Sequence, residues 1–509
     1  MNVEEQPTFR DNVEIYGGSI TVADYNTPLY TLLAYETLKL DAVDDIDIFN
    51  KIEAKSVTNT LQDIVLYSAS GAITQADATN DGASSEPIRA ADLNVRAAAG
   101  ITLPFTELTT LTALNEGTTG DIAITETAAG AAIQVTAISQ SNAAGDGNIS
   151  LIATNGAITL SASGSGISNL GSGGISLTAG GANNINQSRD VVTQGGLIEF
   201  NAGAAIVMAD GVNTSSVHAS ADTGAVAYVA GTSITLSHIE ADGTINLTAQ
   251  GGSISDGLTG DGPNLDLDTA LVTLNATAGI GGSAAPLHTL IAGVAARNTL
   301  SGGIYLSEQT DLRITGDAGS GRSIDLAGAN ANLSIATLNG GITVEGEIVS
   351  TGASGTPGEI GNLLLSAVET AEGTTANVDI RADIASTSGS ISVLANDDIL
   401  IDNQNLIGAP TLRTLSSGQT IDLQADNAIV MESTAMLITH SGNQRLQATA
   451  GGIVLGQLNT FNNTASGTGA VSLNAGTDIV DADGDADDPQ GVNVRSEERR
   501  VGKECATLC

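Results

Sequence analysis

GNISLIATNGAITLSA at 147–162 decides the fold of this chain, because the same phrase keeps returning. It comes back as GGISLTAGGANNINQS at 173–188, GGLIEFNAGAAIVMAD at 195–210, GTINLTAQGGSIS at 243–255, QTIDLQADNAIVM at 419–431 and AVSLNAGTDIVDADG at 470–484. Each copy holds two short runs of strict apolar–polar alternation joined by a Gly, Asn or Asp bend, the signature of strands with one buried face. Neither strand can bury its apolar row alone, so the copies must stack on one another. The pattern predicts an all-β fold: a right-handed parallel β-helix (β-solenoid) with irregular loop insertions. At ~22 residues per coil the repeat region corresponds to about 20 coils, and at ~4.8 Å per coil to a rod on the order of 90–100 Å.

Composition agrees. The 509 residues include 61 Gly and no Trp, aromatics make up 2 %, and the apolar 41 % is carried by Ala, Ile, Leu and Val. Small and β-branched side chains suit a narrow core one side chain deep. Alternation predicts that Ile149, Leu151, Ile175, Leu177, Ile245, Leu247, Ile421, Leu423, Val471 and Leu473 point inward, with Ser150, Ser176, Asn246, Asp422 and Ser472 outward. Asn201, Asn275 and Asn474 follow equivalent strands and are expected to form a partial Asn ladder. Parallel ladders should join segments 18–28 residues apart, as the spacing of successive lead strands suggests.

Three segments differ in character. Residues 1–60 hold Lys39, Lys51 and Lys55 and the stretch TPLYTLLAYETLKL at 27–40, and read as an irregular strand-rich start. Residues 61–494 form the repeat region, interrupted at 105–120, 256–270, 281–300 and 351–375, where PFTELTTLTALNEGTTG and SDGLTGDGPNLDLDT read as loops. Residues 495–509 begin RSEERRVGKEC, unlike anything before them, and read as a sequencing-adaptor-derived tail rather than native sequence. Such a tail should pack on nothing and leave an open coil edge at residue 494. Without its four of 17 basic and three of 57 acidic residues the net charge moves from −40 to −41, and both cysteines, Cys505 and Cys509, leave with it. The amino end carries no apolar run of signal-peptide or membrane-helix length, and we read the chain as a fragment of a longer one at both ends.

Charge excludes partners. Between residues 56 and 494 there is no lysine and only nine arginines, scattered singly. Nucleic acid and anionic membrane surfaces both demand basic clusters, so neither is an expected partner.

Candidate chemistry is sparse. Of the four histidines, His218, His238, His288 and His440, the first two are 20 residues apart, close to one coil, and could stack, but two ligands without a third make a weak metal site, and solvent-facing polar positions are the expectation. Asp481, Asp483, Asp485, Asp487 and Asp488 alternate like a calcium loop, yet Gly484 is misplaced for that motif and the closing Glu is missing. GDGPNLDLD at 260–268 matches less well still. The sequons at Asn148, Asn246 and Asn275 follow from composition. No catalytic, cofactor or metal residue is assigned; calcium is a possible counterion without a site.

The G-x-I-x-L-x-A phrasing, the Asn/Gly corners and the scarcity of Cys, Lys and Trp resemble filamentous-haemagglutinin-type bacterial surface adhesins over roughly 120–484. The resemblance implies a non-catalytic structural stalk of a large secreted or surface-exposed exoprotein, extracellular or outer-membrane-associated on a bacterium. Its partners would be host-cell or biofilm glycans or proteins met through loops such as 256–270 and 281–300. The alternatives are an extracellular matrix or surface-layer component and a carbohydrate-active β-helix enzyme of the polysaccharide-lyase kind. The second would need basic and aromatic residues to hold its polymer, and this chain is poor in both.

Overall fold

The computed structural model describes residues 8–9, 13–22, 31–76, 87–218, 224–257, 265–328, 331–351, 361–370, 375–402, 409–460, 469–482, 494–495 and 498–501. They are organised as a right-handed parallel β-solenoid of about 16 turns, with strands and no helix. Two compact units divide the chain, one comprising Met1–Asn246 with Gly257–Gly260, the other Leu247–Asp256 with Asp261–Cys509.

Each turn has three faces, because most strands pair with the strand three further along the chain. In the first unit Ile149, Ile175, Ile198 and Val226 form one in-register column. Ile158, Ile185, Ile206 and Ile234 form the second, and Ile138, Ile167, Val191 and Thr214 the third. The second unit repeats the plan with Leu312, Ile342, Val378, Ile399, Ile429, Ile453 and Ile479 on one face. Alternation does what it must on such a surface. All ten residues expected inside are buried, from Ile149 to Leu473, while Ser150, Ser176, Asn246, Asp422 and Ser472 are partly or fully exposed. One aromatic step interrupts the aliphatic column: Phe200 and Tyr228 are register partners with rings stacked 4.5 Å apart, and the Tyr228 hydroxyl lies 2.6 Å from Thr214 Oγ1.

The coil count is lower than the spacing suggests for a specific reason. The three faces read alike, so strands of one turn pass for successive turns. Ile304 and Ile324 lie on different faces: Ile304 pairs with Leu333, and Ile324 with Ile348. True register steps also reach further than 28 residues, Ile342 pairing with Val378 and Ile399 with Ile429.

Two other expectations change. The ladder begins before residue 61, since Val13–Gly17, Leu38–Ala42 and Ile64–Ser68 already stack in register. The Asn ladder is absent: Asn201 lies between Thr178 and Val229, Asn275 beside Arg297 and Asn474 beside Gln447. A buried polar column stands elsewhere, at the end of the third face, through Asn115, Gln140, Asn169, Thr193 and Ser216. These side chains serve the backbone of the corners. Asn115 Nδ2 donates to Gly120 O and Gln140 Oε1, Asn169 Nδ2 to Gly147 O, and the Thr193 and Ser216 hydroxyls to Gly196 O. A corner carbonyl that turns inward has no strand partner, and a short polar side chain supplies one.

The carboxyl end also departs from expectation. Val494–Arg495 pairs with Leu458–Asn459, and Glu498–Val501 with Ala470–Leu473, so the last coil edge is not bare. Backbone pairing is indifferent to side chains, and an open edge of N–H and C=O groups templates whatever chain follows it. Residues 496–497 and 502–509, with both cysteines, lie outside the described residues.

Close stacking also fixes where glycine is needed. A Cβ on Gly203 would sit 1.5 Å from the Gly181 carbonyl oxygen of the coil below, whereas one on Gly130, at φ 75°, meets nothing within 4 Å. Gly203→Ala should therefore cost about 2–3 kcal/mol through forced separation of the coils, against about 1 kcal/mol for the purely conformational penalty in Gly130→Ala. Urea melts of the two variants measure the difference; equal costs would mean that the coils are not in contact at this corner.

Candidate functional site

Two stretches read as loops are the longest strands described. Ile101–Asn115 and Leu287–Asn298 each pass a corner without a break, as their Leu/Thr and Leu/Ile alternation allows; Pro104 and the Thr-rich composition disguise the first. Each pairs with a ten-residue strand, Ile88–Ala97 and Leu267–Ala276, in the registers Ile88↔Thr106 and Leu267↔Thr289. Each also meets a buried glutamate of the following turn, at Thr106↔Glu126 and Thr289↔Glu308. The arrangement thus recurs in both units.

The glutamates perform the same task. Glu126 accepts from Leu108 N at 2.9 Å, Ala128 N at 2.8 Å and Thr106 Oγ1 at 3.1 Å. Glu308 accepts from Ile291 N at 3.0 Å, Thr310 N at 3.0 Å and Thr289 Oγ1 at 2.7 Å. Both are almost fully buried. Burial raises both carboxyls, Glu126 to about 7, against the opposing pull of their donors. Each caps backbone N–H groups at a bend.

Beside this corner the units diverge. In the first, Gln75 ends the strand Ile73–Gln75, and its amide closes on the backbone of Phe105, accepting from the N–H and donating to the C=O at 3.0 Å each. In the second, the isoleucine series Ile254, Ile280, Ile304 matches Ile73, Ile101, Ile122, which places Asp256 where Gln75 stands. His288 precedes Thr289 as Phe105 precedes Thr106, and Asp266 precedes Leu267 as Pro87 precedes Ile88. Here Asp266 takes over the backbone: its N–H donates to His288 O at 2.8 Å and its Oδ2 accepts from His288 N at 2.7 Å.

Asp256, Asp266 and His288 bring one donor atom each within 4.8 Å of one another. His288 Nδ1 lies 4.0 Å from Asp266 Oδ2, with the ring partly exposed and the carboxyl fully buried. Asp266 Oδ1 is buried and receives no hydrogen bond among the described residues. Burial, with the neighbouring Asp256 adding to it, pushes the Asp266 carboxyl up to about 8 despite the His288 N–H. In the sequence Asp266 stands in the acidic run 260–268 and His288 among the four histidines, with nothing to join them to Asp256. The available signal was the 22-residue separation of Asp266 and His288, one register step on paired strands.

Of the residues singled out from sequence, Asp266 of the run 260–268 and His288 come together; the other histidines do not. His238 is in register with Asn213, so His218 does not stack on it; the His218 N–H instead donates to Asp242. His440 Nδ1 contacts Leu415 O at 2.8 Å. Asp481 ends a strand, while Asp483, Asp485, Asp487 and Asp488 lie outside the described residues, as do 260–264 of the second acidic run. Seven of the nine arginines between 56 and 494 lie against carboxylates, among them Arg89 on Glu53 and Glu107, Arg96 on Glu116, Arg313 on Glu345, Arg381 on Asp379 and Arg445 on Asp422. Comparison with protein families, with curated proteins and with solved structures gives no match to this chain.

Proposed function

We propose that this chain is a non-catalytic structural stalk of a large secreted or surface-exposed bacterial adhesin or exoprotein. The observation that carries the reading is the continuous filling of the coil interior. From Ile122 through Ile149, Ile175, Ile198 and Val226 the column is aliphatic and buried, so what the coils offer a partner is lateral surface. Seven arginines held against carboxylates, including Arg297 and Arg322 on Asp325, support the expectation that polyanions are not its ligands. Attachment through 281–300 would use the outward side chains of a strand, because most of that stretch is strand rather than loop. Shallow contact spread over many coils is the binding mode such a surface favours.

The test is to present the purified chain with a panel of bacterial and host polysaccharides and follow both product release and retention on host-cell or biofilm surfaces. Retention without turnover is the expected result. Turnover of any glycan that is lost on substituting one carboxylate would overturn the stalk reading and favour a lyase-like enzyme.

A further inference from the structure

We propose that Asp256, Asp266 and His288 form a binding site for a divalent transition-metal ion, with zinc(II) the best match. Three observations converge. The donor atoms cluster within 4.8 Å, and two carboxylates with one imidazole form a mixed oxygen–nitrogen set. Zinc and its first-row neighbours accept such a set, whereas calcium and magnesium select oxygen alone. Asp266 Oδ1 is a fully buried carboxylate oxygen without a hydrogen-bond donor among the described residues, close to the second carboxylate. A cation would give that oxygen a partner and offset the facing of two carboxylates.

The third observation is internal. The corresponding corner of the first unit solves the same backbone problem with neutral groups, Gln75 clasping Phe105 and Pro87 leading into the next strand. In the second unit all three positions carry ligand-type side chains, and the backbone bonds are kept by Asp266 alone. The second unit thus sets a second carboxylate and an imidazole beside the carboxylate that caps the corner. The spread of the donors exceeds the ~3.3 Å edge of a tetrahedral zinc site, so binding would draw Asp256 and His288, both partly exposed, toward Asp266. The bound ion would tie together the strands Ile254–Asp256 and Leu287–Asn298 and the residue entering Leu267–Ala276.

The experiment uses the full chain, stripped with a chelator and then equilibrated with zinc(II) in a large excess of calcium, so that the acidic faces are saturated by the commoner ion. One retained zinc per chain, by elemental analysis, is the expected result. Cobalt(II) in its place should give the visible absorption of an ion with a nitrogen ligand. His288→Gln and Asp256→Asn should each weaken retention by ~10-fold or more. Asp266→Asn should abolish it, and if that buried variant fails to fold, the two partly exposed positions carry the test. Zinc held no better than calcium, or retained equally by wild type, His288→Gln and Asp256→Asn, would overturn the site and leave a carboxyl pair sharing a proton.

Discussion

Leu177→Asp is expected to abolish the cooperative structure of the coils around it. Leu177 is fully buried between Leu151 below and Phe200 above, in a core one side chain thick. A carboxylate there has no donor within the aliphatic column and no path to water except through the ladder. The uncompensated charge costs roughly 3–5 kcal/mol and the lost packing roughly 2–5 kcal/mol more. Together these approach the whole stability of a small domain. Hydrogen exchange should show protection lost across Ile149–Ala153, Ile175–Ala179 and Leu197–Ala202, with more distant coils less affected, because each coil is stabilised mainly by its neighbours. Thr178→Asp, one residue on and pointing outward, should change stability by no more than about 0.5 kcal/mol. Similar effects from the two substitutions would mean that the alternation has been assigned to the wrong face.

The second large effect is pH-dependent. Glu126 ionises near 4.5 when unfolded and near 7 in the folded protein. Below pH 4.5 both states are protonated. Between the two values the folded state retains a proton that the unfolded state has released, so stability falls as pH rises, and the loss is complete above pH 7. The shift corresponds to about 3 kcal/mol. Glu308, raised for the same reason, adds in the same direction. Glu126→Gln should begin about 1–2 kcal/mol less stable than wild type, because an amide nitrogen cannot accept from a backbone N–H. It should then recover relative to wild type by about 3 kcal/mol across that window, since it has nothing to ionise. Denaturant melts at a series of pH values read the difference. Parallel curves for the two proteins would show that the corner carboxylate ionises normally.

The repeat phrase made the fold legible because period-two alternation survives any loop length. Ile149, Ser150 and Leu151 state their orientation locally, and stacking follows from the inability of one such strand to bury itself. The number of turns was less legible, since Ile304 and Ile324 look like equivalent positions when they lie on different faces. The long strands were hidden by their composition: Pro104 and a run of threonines in one, and the preceding Gly/Ala-rich bend in the other. Buried glutamates were hidden for a more basic reason. Glu126 and Glu308 stand in strands where an inward position should be apolar, and only the backbone geometry of the neighbouring turn explains a carboxylate there. The trio of Asp256, Asp266 and His288 depends on register across a loop of unpredictable length. Spacing within the sequence does not supply that register.

Parallel stacking of the coils is tested most directly at one pairing. Asn155-Gly156 is a strong hairpin signal, and a hairpin would set Ile152 opposite Thr159. The coil instead sets Ile152 beside Thr178, one turn above, at ~4.8 Å between strands. With Cys505 and Cys509 replaced by serine, the double substitutions Ile152→Cys with Thr178→Cys and Ile152→Cys with Thr159→Cys can be oxidised under identical mild conditions. Rapid, near-complete disulfide formation in the first and little in the second is the expected result. Crosslinking of 152 to 159 in preference to 178 would contradict the solenoid.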